Sequence, residues 1–231
     1  MNFLHWIMSL KIHGWFGQIN DYRLVLRSLS SMTDWSSFGL AEGMLNFPEL
    51  AGKYSGLLII AASGRCVWDD LEKAGMARNH DDHPHVMCVN DMIMHYPGRV
   101  DHAYSNSHSN LVKWVAARRD QYVTRFGNIK NTHSNKIGGK YTWPWPGHGT
   151  SSLNACYTGI GLGYSEIWLC GAPLDNSGHF WEAPWEKTNF EHEVGERDGR
   201  MKYWDNAKRR IFEGRVKSFS GRTMNLLGAP K

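Results

Sequence analysis

Gly149-Thr150-Ser151-Ser152 sets three hydroxyls behind a glycine at the head of a segment with helical character, Leu153-Asn154-Ala155-Cys156. The chain then runs through Gly161-Leu162-Gly163-Tyr164 into Glu166-Ile167-Trp168-Leu169-Cys170-Gly171, an apolar stretch ending in glycine. A hydroxyl-rich loop, one helix and a buried strand can hold an anion. The first backbone N–H groups of a helix have no partner within it, the hydroxyls lie beside them, and there is little side-chain bulk in the way. An N-capped helix packed on a sheet uses the same residues for structure alone. The anion reading therefore needs a second construction of the same kind.

That construction lies about ninety residues earlier. Gly56 to Ala62 is a continuous apolar run, the pattern of a strand buried on both faces. Ser63-Gly64-Arg65-Cys66 follows as a small-residue turn, and Val67 to Gly75 as a short helix closed by glycine. This is a nucleotide-type βα opening without a GxGxxG motif, and ligands of such sheets meet the carboxyl ends of the strands. His85 to Val89 is a second buried strand, ending at Asn90-Asp91. An Asn there offers both a donor and an acceptor to a base or sugar edge. These turns put Ser63, Gly64, Asn90, Asp91, Thr150, Ser151 and Ser152 where such a sheet meets its ligand, with Gly171 at the end of the later strand. Ala172 to Val194 is long and irregular and reads as a lid, with Asp175, His179, Trp181 and His192 on it. A histidine on a lid can act as a general base near neutral pH. Arg78 to His85 holds three His and two Asp, but their contiguous spacing, broken by Pro84, matches no defined metal-ligand set. A solvated turn is the expectation there.

The elements that must position these residues alternate between strand and helix, which predicts an α/β fold with a mostly parallel sheet flanked by helices. Asp101 to Ser105 reads as a third strand. Ser109 to Val123 reads as a helix capped by Ser109 or Asn110, with Leu111, Trp114, Val115 and Arg118 on one face. Residues 124–148 show no clear periodicity. Within them Trp143-Pro144-Trp145-Pro146-Gly147-His148 is either a structural crossover or a wall on which a base or sugar stacks. Glu196 to Phe212 reads as a helix, Arg215 to Phe219 as a last strand, and a helical turn closes the chain. Residues 1–50 are expected to form a helical, peripheral layer or a partner surface. Residues 51–231 are expected to form the nucleotide-binding domain, with the lid at about 172–195.

Composition bounds the rest. The 231 residues are 42% hydrophobic and 21% charged, enough for a core and too apolar for disorder. Lys and Arg number 26 against 22 acidic residues, a net charge of +4. That fits an anionic small molecule and lacks the dense basic stripe of a nucleic-acid binder. Cys66, Cys88, Cys156 and Cys170 form no CxxC pair, so reduced, buried thiols and a cytoplasmic setting are expected. No signal peptide is read at the N-terminus, and no run approaches the ~20 apolar residues of a membrane span. An anionic small molecule such as a nucleotide is the expected partner, and a homo-oligomer is compatible with the sequence.

Thr150-Ser151-Ser152, Cys156 and the run Leu162-Gly163-Tyr164-Ser165-Glu166-Ile167-Trp168-Leu169-Cys170-Gly171 resemble a segment of the bacterial sialyltransferases of glycosyltransferase family 42. Their pattern is Thr-Ser-Gly, a helix containing Cys, then Leu-Gly-Tyr-Lys-Glu-Ile-Tyr-Leu-Ser-Gly-Ile-Asp. The related family called domain of unknown function 115, which includes archaeal 6-hydroxymethylpterin pyrophosphokinases, shares the layout. Ala62-Ser63-Gly64-Arg65 stands where these families carry Gly-Asn-Gly-Pro-Ser, and Cys88-Val89-Asn90 where a second strand ends in Asn. The resemblance covers roughly residues 56–220. It implies a Rossmann-like nucleotide-binding fold and a transferase using a nucleotide-activated donor, in the first place a nucleotide-sugar. It puts Ser63, Gly64, Asn90, Thr150, Ser151, Ser152 and Gly171 around the nucleotide, and Trp181 where the family has a lid Tyr. His192 is the nearest equivalent of the family's general base, with His179 as the alternative. The chain departs from the pattern in its first turn, at Pro173 in place of an Asp, and at Asn106 where the pterin enzymes hold Mg with an Asp. Mg-dependent pyrophosphoryl or nucleotidyl transfer from ATP remains the second expectation, and non-catalytic nucleotide binding the third.

Overall fold

The computed structural model describes residues 48–76, 84–135, 139–145, 150–175, 177–182 and 190–231, with the backbone alone for 190–198. Among the described residues the strands are β1 (Leu57–Ala61), β2 (His85–Val89), β3 (His102–Tyr104), β4 (Asn131–Ser134), β5 (Tyr141–Thr142), β6 (Glu166–Cys170) and β7 (Val216–Ser218). The helices are α1 (Val67–Lys73), α2 (Met92–His95), α3 (His108–Phe126), α4 (Ser151–Leu162), α5 (Phe190–Ala207) and α6 (Gly221–Leu227). α5 runs on into a π-helical turn, Lys208–Phe212.

The strands form one sheet in the order β5-β4-β3-β2-β1-β6-β7, and every pairing is parallel. β1 and β2 are buried from their second residue onward, as expected of strands covered on both faces. Alternation along β1 divides the core. Leu58 and Ile60 join the cluster built with α4, α5 and α6, while Ile59 and Ala61 join the one built with α1, α2 and α3. This is an α/β, Rossmann-like architecture. From β1 the chain builds outward to β5, then returns through α4 to place β6 on the other side of β1. The strand order reverses there, and in such sheets a crevice opens at the carboxyl ends of the two strands.

Several expectations change. The stretch 124–148 contains β4 and β5. Asn131-Thr132-His133-Ser134 is polar, so alternation could not reveal it. Trp143 and Trp145 are buried, stack at 5.4 Å and 11°, and pack against Gly161. They are core residues of the crossover and form no wall for a ligand. α3 begins at His108 behind Ser107, which makes no side-chain cap, so neither Ser109 nor Asn110 is the cap. α5 begins at Phe190, so the span 172–195 ends inside a helix. Residues 1–47 and the loop 77–83 lie outside the described residues.

From the β5 side of the sheet to the start of β2, five side chains form a directed chain of hydrogen bonds. The Trp143 indole N–H donates to His133 Nδ1 at 3.0 Å, which leaves His133 its proton on Nε2. His133 Nε2 then donates to His102 Nδ1 at 2.9 Å, and His102 Nε2 to the Tyr164 hydroxyl at 3.0 Å. Tyr164 donates in turn to His85 Nδ1 at 2.5 Å. An indole cannot accept, so its end sets the direction of the whole chain. Burial, reinforced by a neighbouring imidazole, pushes His102 down to about 3 and His133 well below its ordinary value.

Both histidines stay neutral in the fold and protonate in the unfolded chain near pH 6.5. The stability they permit is present above that pH and is lost as pH falls toward the folded value. Between pH 6.5 and 5 the loss is about 2 kcal/mol for each. The urea midpoint should therefore drop steeply over that window. A His102→Asn variant, less stable at pH 7, should show about half the slope.

Candidate functional site

The ends of β1 and β6 meet without intervening side chains. The Ala62 N–H donates to the Cys170 carbonyl and the Gly64 N–H to the Gly171 carbonyl, each at 2.8 Å. A Cβ on Gly64 would fall 2.7 Å from the Gly171 oxygen and 2.6 Å from Pro173 Cδ. Gly171 has φ +71°, and a Cβ there would run into the Ala62 carbonyl and Val67. Asp70, fully buried on α1, locks the junction: its Oδ2 accepts the Gly171 N–H at 2.9 Å and the Ser220 hydroxyl at 2.7 Å. Above this seam lies a cleft of about 390 Å³. The cleft draws walls from the ends of β1, β2 and β6, the head of α4, the segment 172–182 and α5.

At the β2 end, Asn90 holds a left-handed conformation, φ +57°, which Asn tolerates better than most residues. Its Oδ1 accepts the Ser105 hydroxyl at 3.0 Å, leaving the amide NH2 as the group it can offer in the cleft. Asp91 stands behind the wall and braces Ser63, whose hydroxyl donates to Asp91 Oδ1 at 2.5 Å. Burial raises the Asp91 carboxyl above its usual range, opposed by the Ser63 bond and by the charges of His179 and His95. Asn106 also lines the cleft, its Oδ1 held by the Tyr104 hydroxyl at 3.0 Å and the Asn154 amide at 3.1 Å.

Thr150 caps α4. Its Oγ1 accepts the Leu153 N–H at 3.2 Å and sits 3.5 Å from Ser152 Oγ. The N–H groups of Ser151 and Ser152 lie in the first turn, where a helix supplies no acceptor. Behind them Leu153 through Leu162 are all buried, so the helix end has a fixed place on the sheet. Thr150, Ser151 and Ser152 therefore meet Ser63, Gly64, Asn90 and Gly171 around one cavity.

The described part of the expected lid is tied to the first turn. Gly64 and His179 form an antiparallel bridge, the Arg65 N–H donates to Gly178 at 3.0 Å, and the Phe180 N–H to Ser63 at 3.1 Å. The Arg65 guanidinium clamps the carbonyls of Ser177 at 2.7 Å and Glu182 at 2.9 Å. Asp175 lines the cleft and closes a turn by accepting the Ser177 N–H at 2.9 Å. His179 lines the cleft, while Trp181, 47% exposed, is not among the lining residues. The His192 side chain lies outside the described residues.

Glu182 and Arg200 line the cleft without having been singled out in the sequence. Glu182 Oε2 accepts the His179 N–H at 2.8 Å. Arg200 was legible in one respect: it lies four residues before buried Trp204, on the same helix face. Among the described residues no group of three or more His, Cys, Asp or Glu could hold a metal ion. No helix among them is long and apolar enough to cross a membrane.

No protein-family model matches the chain. No curated protein matches it either. Among solved structures it is similar to the sialyltransferase CstII from Campylobacter jejuni, in complex with a substrate analogue, cytidine-5'-monophosphate. The two are 12% identical with a TM-score of 0.46, over 76% of this chain and 85% of that one. No residue role is carried over at that distance, and the fold stands on the strand pairing itself.

The seam predicts a contrast between two glycines. Gly75, φ +75° with nothing within 4 Å of its Cβ position, should cost about 1 kcal/mol as alanine. Gly171→Ala meets backbone and Val67 as well, and should cost about 2 kcal/mol more. Urea unfolding of the two variants side by side gives the difference.

Proposed function

We propose that the cleft binds a nucleotide-activated donor and transfers its group to an acceptor hydroxyl, most simply as a glycosyltransferase. The observation that carries this reading is the convergence of three separate segments, at Ser63-Gly64, Asn90 and Thr150–Ser152, on one cavity at the strand-order reversal. Its walls combine backbone N–H groups, hydroxyls and carboxamides with Arg200, groups suited to phosphate and to the polar edges of a base or sugar. The resemblance of residues 150–171 to the sialyltransferase segment supports the same chemistry.

In this reading the donor's phosphate lies against the head of α4. As the bond between the sugar's anomeric carbon and the phosphate oxygen breaks, negative charge grows on that oxygen, and fixed donors there lower the barrier. His179 takes the proton of the acceptor hydroxyl while the acceptor oxygen bonds to the anomeric carbon. The products are the glycoside, the free nucleotide and the protonated imidazole. His179 is taken as the base because it lines the cleft. Glu182, the bridge to Gly64 and the Arg65 clamp hold its backbone there.

Calorimetry against CMP, UDP, GDP and ADP and their sugars, with and without Mg, tests the donor. At least one should bind. Ser151→Ala and Asn90→Ala should each weaken that binding by about 1 kcal/mol, the worth of one hydrogen bond. His179→Gln should bind the donor normally and lose about 100-fold or more in turnover. Unchanged affinity in both binding variants for every nucleotide that binds would remove the site assignment.

A further inference from the structure

The segment that carries His179 also carries a column of rings beside the cleft. The Trp181 indole lies nearly parallel to the His179 imidazole, with centroids 4.4 Å apart and planes at 13°. His95, from α2, stacks on the same indole at 6.2 Å and 21°. Phe180 meets Trp181 edge-on at 5.0 Å, His95 at 5.2 Å and Trp68 at 5.4 Å. These separations and angles are those in which aromatic rings attract. The indole is thereby bracketed by His95 from α2 and by His179 and Phe180 of its own segment, and Trp68 of α1 backs Phe180.

The backbone under His179 is held by Gly64 and Glu182, so the side-chain torsions are the freedom that remains to its ring. A stacked partner acts on that freedom. It covers one face of the imidazole and fixes its plane, while both ring nitrogens lie in the uncovered edge. We propose that Trp181 is the positioning residue of His179, with His95 and Phe180 bracing the indole so that the imidazole edge meets the acceptor hydroxyl. The inference rests on the reading of His179 as the base. The imidazolium formed by proton transfer would lie against an indole face, a favourable contact for a cation. A positive charge on His179 would also attract the Asp91 carboxylate.

The test compares Trp181→Leu, Trp181→Phe and His95→Leu with the parent. One readout is the rate at which diethyl pyrocarbonate modifies His179, followed by peptide mass spectrometry, which needs no turnover. In Trp181→Leu, His179 should react several-fold faster, with turnover down about tenfold and donor affinity within about twofold, since ring placement and not binding is lost. Trp181→Phe, which keeps a stacking face, should restore both rates toward the parent. His95→Leu should move them in the same direction as Trp181→Leu, to a smaller extent. Thermal melting checks each fold, and at a half-exposed position leucine opens no core cavity. An unchanged His179 reaction rate in Trp181→Leu overturns the inference, whatever turnover does. Full turnover in His179→Gln overturns the base assignment instead. The two failures are therefore distinguishable.

Discussion

The close approach of the ends of β1 and β6 is the constraint on which the rest depends. Two backbones can exchange hydrogen bonds across Ala62–Cys170 and Gly64–Gly171 because neither glycine carries a Cβ. A buried carboxylate is costly unless hydrogen-bonded, and the two bonds that Asp70 accepts compensate part of that cost. One of its two donors is the Gly171 N–H, so the side chain fastens α1 to the seam. If the seam opened, the cleft floor and the anchor of the 177–182 segment would move together, because that segment bridges to Gly64.

The sheet separates stability from chemistry along its strands. Near the amino ends and the β4–β5 edge, neutral imidazoles, a phenol and an indole satisfy one another in a chain with a single direction. That chain substitutes for the apolar side chains that β4 lacks, and it makes the edge sensitive to acid. At the carboxyl ends the polar groups are not mutually exhausted. Asn90 spends its carbonyl on Ser105 and keeps its amide for the cleft, and the head of α4 keeps its first N–H groups. Such partly satisfied groups gathered in one cavity are what a ligand can complete.

Much of this was legible from local pattern. The continuous apolar runs of β1, β2 and β6 read as buried strands because burial on both faces removes alternation. The small-residue turn at 63–64 and the hydroxyls at 150–152 stood out because their side chains leave the backbone uncovered, and both line the cleft. Other features were not legible. β4 is polar along its length, and its burial depends on hydrogen bonds to residues far away in the chain. Trp143 and Trp145 could be a structural crossover or a stacking wall in sequence, and the Gly161 backbone supplies the socket that makes them core. Arg200 and Glu182 reach the cleft from α5 and from the 177–182 segment; spacing puts Arg200 on the Trp204 face, but what that face meets is set by the fold.

By itself, the sequence determined the class of fold and the residue types at strand ends, because both follow from local hydrophobic pattern and from the absence of side-chain bulk. Tertiary structure decided which of those ends would meet. The return of the chain through α4 places β6 beside β1, and that single crossover brings residues 63, 90, 150 and 171 around one cavity. It also decided that His179 lines the cleft, since the bridge to Gly64 joins segments more than a hundred residues apart. Contacts of that sequence separation depend on the assembled sheet, and no local pattern encodes them.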